Sequence, residues 1–344
     1  MKSRVKFLSL SKYLFMNELE QLIQQYYELG IDRQLDYDKF YLYSIITHST
    51  AIEGSTITEL ENQIMFDNGI AIKGKSLIEQ NMNLDLKNAY ERVLVFAHDH
   101  CDVTMERLKE LSALTMKNTG VEYHTTLGDF SSAHGDLRLV NVSAGAGGKS
   151  YMAFNKVPQK LKEFCDNLNR FRREAKGYDL VNLYNLSFDA HFHLVTIHPW
   201  ADGNGRMARL LMNWLQFEYG LIPSRILAAD KEDYIKALVA TREEDNLQIF
   251  RDFMHTTFIA HLKREIELYK ESVGVSDSGT VSSKLKTNER IISYLASHPR
   301  ASARELSQKI GITVKGIEKQ LASLKAAGRI LRIGPAKGGY WQVD

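Results

Sequence analysis

The stretch HPWADGNGRMARLL, residues 198–211, packs one histidine, one acid, two glycines and two arginines into its first twelve positions. Just before it, LYNLSFDAHFHLVTI sets Leu183, Leu186, Ala190, Leu194 and Ile197 on one helical stripe. Pro199 disfavours helix at His198, so the spacing predicts a helix that ends there. After the loop, RMARLLMNWLQFEYG predicts a second helix, stopped at Gly220. WADGNG then reads as a tight loop feeding a helix N-terminus, with glycines that permit positive φ and close approach of a ligand.

Further out, helical periods recur in LFMNELEQLIQQYYELG, ending at Gly30, in LDLKNAYERVLVFAHDH, and in VPQKLKEFCDNLNRF, where Pro158 sits at the tolerant first turn. LRLVNV, residues 137–142, is the one stretch that reads as a strand, and with YMAFNKVP it predicts a β-hairpin over 137–155. ESVGVSDSGTVSSK, residues 271–284, has the composition of a linker. Beyond it come one helix, two helices around a Gly-containing turn, and two short strands, the order of a winged helix. The predicted class is mostly α, with one hairpin in a helical core and a C-terminal winged helix-turn-helix. The predicted divisions are 1–84, 85–270, a linker 271–284, and 285–344.

Charge separates the same parts. From Ser276 onward there are 12 Lys or Arg against 5 Asp or Glu, a balance of 12 − 5 = +7. The whole chain carries +2, so the first 275 residues carry 2 − 7 = −5. A weakly acidic body therefore bears a basic tail. Cys101 and Cys165 offer no disulfide framework and no metal spacing, which suggests a reducing compartment. The apolar run FLSLSKYLFM is broken by Lys12, and no stretch reaches the ~18 apolar residues of a membrane span. The expected location is the cytoplasm, without a membrane partner.

The loop itself suggests chemistry. Bare amides at a positive helix end make an anion site. Arg206 and Arg209, three apart, add two guanidiniums, which suit a polyphosphate better than a lone carboxylate. Asp202 beside phosphates is a natural Mg²⁺ ligand. His198 is the group suited to accept a proton near neutral pH. Together these predict transfer of a phosphorus group from a Mg-nucleotide to a hydroxyl activated by His198.

HPWADGNGR followed by Ala208 and Arg209 resembles the signature of the Fic family, H-x-F-x-[DE]-G-N-G-R-x-x-R, with Trp200 where Phe is usual. The likeness extends over roughly residues 85–260. It implies AMP transfer from ATP to a Ser, Thr or Tyr hydroxyl of a target protein or of the chain itself, with release of pyrophosphate. By the same carry-over His198 is the base and Asp202 holds Mg²⁺. Gly203, Asn204, Gly205, Arg206 and Arg209 hold the ATP phosphates. The hairpin 137–155 matches the family's flap, whose edge would hold the target in extended form. HSTAIEGSTIT, residues 48–58, resembles the family's inhibitory helix motif S-x-x-x-E-G at Ser49, Glu53 and Gly54. A Glu53 carboxylate aimed at Arg209 would occupy the guanidinium that the γ-phosphate needs. Read without the family, Glu53 is a helix-end acid before a glycine. The likeness after Pro223 places Tyr234 and Asn246 beside the adenine, while packing alone would make Tyr234 an ordinary core or rim aromatic.

Other stretches carry less. GAGGKS, 145–150, lacks the first glycine of a P-loop, since position 143 is Ser143. His191 and His193, at i and i+2, do not share a helix face, so His191 reads as packing against the site. Thr58 with Glu61 predicts a capping box. In the tail, Lys315 and Lys319 on the expected recognition helix suit DNA phosphates, though winged helices also dock proteins or dimerise, and a homodimer stays open. Two alternative functions remain: a DNA-binding regulator with a nucleotide-sensing Fic-like body, and an enzyme that removes AMP, with Glu53 positioning a water.

Overall fold

Local signals explain most helix boundaries in the computed structural model, which describes residues 18–274 except 35 and 144–149, and then 291–292, 294–295, 299, 301–310, 314–326, 328–333 and 340–343. The chain divides into two compact units, Met1–Leu262 and Lys263–Asp344. In the first, helix α1 covers 18–28 and stops at Gly30 in the left-handed region. Then come α2 (Tyr37–Ile52), α3 (Glu59–Asn68), α4 (Leu77–His98) and α5 (Met105–Met116). The capping box predicted at Thr58 and Glu61 opens α3, and a second one, Ser76 with Glu79, opens α4. Strands β1 (Glu122–Thr125) and β2 (Gly128–Ser131) precede α6 (Val157–Glu174), α7 (Leu180–Ile197), α8 (Asn204–Glu218), α9 (Lys231–Glu244) and α10 (Leu247–Val273).

The predicted helix–loop–helix around the opening stretch is present as α7 and α8. Asp179 caps α7 by accepting from the Asn182 amide. The helix ends at His198, held at φ 53, because Pro199 keeps that residue out of the right-handed region. Gly203 at φ 80 starts α8, and Gly220 at φ 62 follows it. The two helices pack on each other and α8 also packs on α4, so α8 is buried nearly all round. Trp200 is fully buried between them, its indole N–H donating to the Gly135 carbonyl at 3.2 Å. Burial of each such large apolar side chain contributes ~1.5–3 kcal/mol relative to exposure.

The strand expected at 137–142 is not there. The described sheet of this unit is β1–β2, an antiparallel pair running from Glu122↔Ser131 to Thr125↔Gly128. Each strand has four residues and β1 is half exposed, so it lacks the apolar run that marks a strand in sequence. Segment 137–155 does fold back on itself, through a lone Ser143↔Ser150 bridge and a Tyr151 amide donating to Val142 O at 3.0 Å. Two of its other carbonyls go to a side chain rather than to a partner strand. The buried Arg138 guanidinium donates to Val140 O at 2.7 Å and to Met152 O at 2.5 Å. The tip 144–149, with most of GAGGKS, lies outside the described residues, as do the run at 7–16 and the linker from 275.

The second unit contains α11 (Ala303–Ile310), α12 (Val314–Ala326), β3 (Ile330–Ile333) and β4 (Tyr340–Val343). Residues 291–292 and 294–295 of the helix predicted before them are helical; the rest of it lies outside the described residues apart from Pro299. Ile291, Leu295, Leu306, Ile317, Leu321, Leu324 and Ile330 form its core. The β3–β4 pair runs antiparallel from Ile330↔Val343 to Ile333↔Tyr340. Among the described residues no helix is long and apolar enough to cross a membrane.

Candidate active site

The loop builds its own scaffold. Asn204 donates to Trp200 O at 2.8 Å and accepts from the Trp200 amide at 3.1 Å, so the 200–204 turn is closed by one side chain. The Gly203 amide is received by Asp202 Oδ1 at 2.6 Å. Gly205 leaves room for the ion pair beside it: a Cβ there would sit 2.8 Å from Glu53 Oε1 and 3.0 Å from Arg209 Nη1, so the two side chains would have to shift.

His198 is half-buried at the helix end. Its Nδ1 lies 3.2 Å from Val195 O, a carbonyl that can only accept, so Nδ1 carries the hydrogen and Nε2 keeps a lone pair. Burial pushes the imidazole down to about 4, and the Arg138 and Arg242 charges add to this against the Val195 carbonyl and Asp202. At neutral pH the ring is therefore a neutral base. Arg138 also donates through Nε to His198 O at 2.8 Å, which ties segment 137–155 to this residue.

The two arginines differ. Arg209, buried, donates to Ser49 Oγ at 2.8 Å, to Ser49 O at 2.9 Å and to Glu53 Oε1 at 2.6 Å. Glu53 caps α2, and Gly54 follows at φ 108. Burial would raise the Glu53 carboxyl, but Arg209, by charge and hydrogen bond, outweighs it with help from Arg206 and Lys231 and holds it below the usual carboxylate range. Arg206 is equally buried but donates to Met116 Sδ at 2.9 Å, and its Nε and Nη1 have no partner. Asp202 lies 3.7 Å from it, with a side chain 59% exposed.

Behind α2 a polar network fixes the Glu53 turn. Asn83 Oδ1 receives Thr50 at 2.9 Å and Asn62 at 2.9 Å, while its amide donates to Ser55 Oγ at 3.0 Å. All four side chains are buried. Sequence reading missed Asn83, as it missed Arg138. For Arg138 a signal existed, a charge inside the apolar run LRLV. For Asn83, one polar residue on a long helix, none did.

Tyr234, which the likeness placed beside the adenine, is buried behind the site. It is 2% exposed, with its hydroxyl 3.0 Å from His191 Nε2 and its ring among Phe250 and Phe253. It also interacts with Arg209 by charge and hydrogen bond, so it backs the arginine from the interior. Packing, not helical position, decided which face it took. Asn246 is exposed between α9 and α10, its Oδ1 accepting the Gln248 amide at 3.2 Å. His191 is fully buried and pushed down to about 3 by burial and then by Arg209, so it packs and does not titrate near neutrality. Among the described residues no group of three or more His, Cys, Asp or Glu side chains is placed to hold a metal ion.

This geometry can be compared with known families. Residues 102–216 match the model of the Fic/DOC family. This segment resembles a Fic domain. Residues 284–330 match a model described as winged helix-turn-helix DNA-binding. The chain is similar to a protein adenylyltransferase Fic of Nematostella vectensis, 29% identical over 241 residues, 68% of this chain and 50% of that one. A protein of the same description from Drosophila melanogaster is 28% identical over 203 residues, 58% of this chain and 37% of that one. The chain thus spans half or less of the length of these curated relatives. In fold it is similar to a Fic domain containing signaling protein of Bacteroides thetaiotaomicron, with a TM-score of 0.62 at 20% identity, covering 76% of this chain and all of that one. A Fic family protein of Desulfovibrio desulfuricans gives a TM-score of 0.62 at 17% identity and covers 96% of this chain and 95% of that one.

Proposed function

We propose that the chain is an autoinhibited protein adenylyltransferase. The observation that carries this reading is the pairing, at one helix N-terminus, of a neutral histidine with two buried guanidiniums, one of them taken by Glu53. A target hydroxyl gives its proton to His198 Nε2 and its oxygen attacks the α-phosphorus of ATP. The bond from that phosphorus to the α,β-bridging oxygen breaks, and pyrophosphate leaves. Gly203, Asn204 and Gly205 present the loop amides, and the two unpartnered donors of Arg206 bind phosphate oxygens. Asp202 fits Mg²⁺ as a single exposed carboxylate that shares the ion with phosphates, and the ion would neutralise phosphate charge. With Arg209 engaged by Glu53, the γ-phosphate loses a ligand and the α-phosphorus is misaligned for in-line attack. The target docks along 137–155. The relatives' adenylyltransferase descriptions support the same activity. The two unpaired cysteines fit a cytoplasmic setting.

Intact-mass measurement with Mg-ATP tests this. Glu53→Gly is expected to acquire an AMP adduct on itself or on added targets, while the wild type stays nearly unlabelled. Equal labelling of both discards the brake. Loss of a pre-formed adduct in wild type would favour AMP removal instead.

The tail supports a second role, DNA binding. Lys315 and Lys319 are exposed on α12 of the module that matches a DNA-binding family. The full chain is expected to bind duplex DNA with an affinity that falls steeply with salt. Replacing both lysines by alanine should lower the slope of log K against log salt by ~0.9 for each phosphate no longer neutralised. No affinity at low salt removes this role.

A further inference from the structure

Tyr151 follows the tip of the 137–155 segment, and nothing in its sequence setting gave it a role. In the structure its ring lies face to face with the His198 imidazole, centroids 3.7 Å apart and planes 16° from parallel. The imidazole fills one face of the phenol. The Arg242 guanidinium, 5.0 Å above the same ring, is left with the other. The stack therefore joins three separate parts of the chain: the loop before α8, segment 137–155, and α9.

This arrangement has a chemical consequence. The lone pair on Nε2 lies in the imidazole plane, so a ring stacked on the face shields the base from water and leaves its in-plane approach clear. The Nδ1 hydrogen bond to Val195 O fixes the tautomer but leaves the imidazole free to rock about that contact. A flat neighbour at van der Waals distance removes that freedom. The phenol is itself held by its backbone, through the Tyr151 amide on Val142 O, and by the cation over its outer face.

We propose that Tyr151 is a positioning residue for His198, locked in place by Arg242: the phenol fixes the plane of the imidazole and keeps water off its face. This rests on reading His198 as the proton acceptor. It also means that segment 137–155 does more than receive a target, because its placement sets the orientation of the base.

The test uses the full chain with Glu53→Gly as background and reads two quantities. One is the titration midpoint of His198 by NMR of histidine labelled with ¹³C at Cε1, which needs no activity. The charged groups facing the ring, Arg138, Arg242 and Asp202, stay unchanged in the Tyr151 variants. Tyr151→Ala, which lets water reach the ring, should move the midpoint up toward the ordinary imidazole range, and Tyr151→Leu, which keeps it covered, should move it less. Both should lower kcat about tenfold, with KM for ATP changed less than about twofold. Tyr151→Leu keeps bulk without a flat face, so its agreement with Tyr151→Ala in kcat separates stacking from mere filling. Tyr151→Phe should restore both readouts. Arg242→Met should lower kcat by a smaller amount, while its midpoint rises in any case because the Arg242 charge itself depresses the imidazole. A midpoint unmoved in Tyr151→Ala, or a kcat unmoved in Tyr151→Leu, overturns the proposal. A moved midpoint in a chain with no transferase activity would sustain the stack and overturn the functional reading instead.

Discussion

Two guanidinium groups stand three residues apart at the start of α8 and meet opposite surroundings. Arg209 is saturated, by the hydroxyl and carbonyl of Ser49 and by the Glu53 carboxylate. Arg206, just as buried, has a thioether for one donor and nothing for Nε and Nη1. Leaving buried charged donors unmade is costly, so a protein that keeps them invites an anion. One half of the phosphate cradle is therefore ready and the other is closed by the chain's own α2. The brake does not dismantle the site; it subtracts one ligand from it.

The largest expected effect breaks the comparison at its premise, that the chemistry is otherwise complete. In the Glu53→Gly background, His198→Ala should lower the labelling rate by ~10²–10⁴, the usual range for removal of a general base. Single-turnover assays with radiolabelled ATP would show it, and surviving labelling would mean that releasing Arg209 exposes no working base.

Next, in the same background, Arg206→Ala should weaken ATP binding by ~10–100-fold, the equivalent of losing charge-assisted hydrogen bonds. Calorimetry checks this.

Stability sharpens the contrast further. Glu53→Gln removes the charge that Arg209 is paired with and should cost about 2 kcal/mol in urea unfolding. That is below the ~3–5 kcal/mol of a wholly buried pair, because a third of the Glu53 side chain still meets solvent. Arg206→Met, which leaves behind only the largely exposed Asp202 carboxylate at 3.7 Å, should be neutral or slightly stabilising. Equal costs at the two positions would erase the distinction.

The smallest effect is a pH signature. Glu53 titrates below its ordinary value of 4.5 in the folded chain. Its contribution is therefore present above about 4.5 and is lost as pH falls through the lower folded value. The stability gap between wild type and Glu53→Gln should be flat near neutrality and close only below about pH 4.5. His198 adds a separate slope. Its folded value near 4 lies below the ordinary 6.5, so its contribution is complete above 6.5 and declines as pH drops toward 4. The histidine is common to both chains and cancels in the gap, so a gap that closes already at pH 6 would mean that Glu53 is not held below its ordinary value.

What was legible in the sequence follows from range. Pro199, Gly203 and Gly220 act on their own backbone, so the bounds of α7 and α8 could be read without a structure. Thr58 and Glu61 satisfy amides three residues away, and that box appeared where expected. LRLVNV misled because its apolar residues read as a strand while the charge among them, Arg138, was passed over. Its guanidinium instead gathers the carbonyls of Val140, Met152 and His198. The true pair, β1–β2, is short and half exposed, and offers little apolar pattern to detect.

The candidate site divides along the same line. His198, Asp202, Gly203, Asn204, Gly205, Arg206 and Arg209 lie within twelve positions, and their spacing alone placed them at one helix end. The residues that set their state come from afar. Glu53 and Ser49 are more than 150 positions from Arg209. Tyr151 and Arg242 close on His198 from either side in sequence. Tyr234 packs with Phe250 and Phe253 from a later helix, a contact that no local pattern announces.

By itself the sequence determined the inventory: a helix, a glycine-rich turn, an acid, two guanidiniums and an imidazole in one short run, with a basic module behind it. Hydrogen bonds, steric limits on φ and helical periodicity act over a few residues and leave a readable trace. Only the tertiary structure decided which arginine is occupied, which ring covers the base and how far the histidine is depressed. Those depend on burial and on contacts between distant segments, and desolvation is a property of the packed molecule rather than of any stretch of its chain.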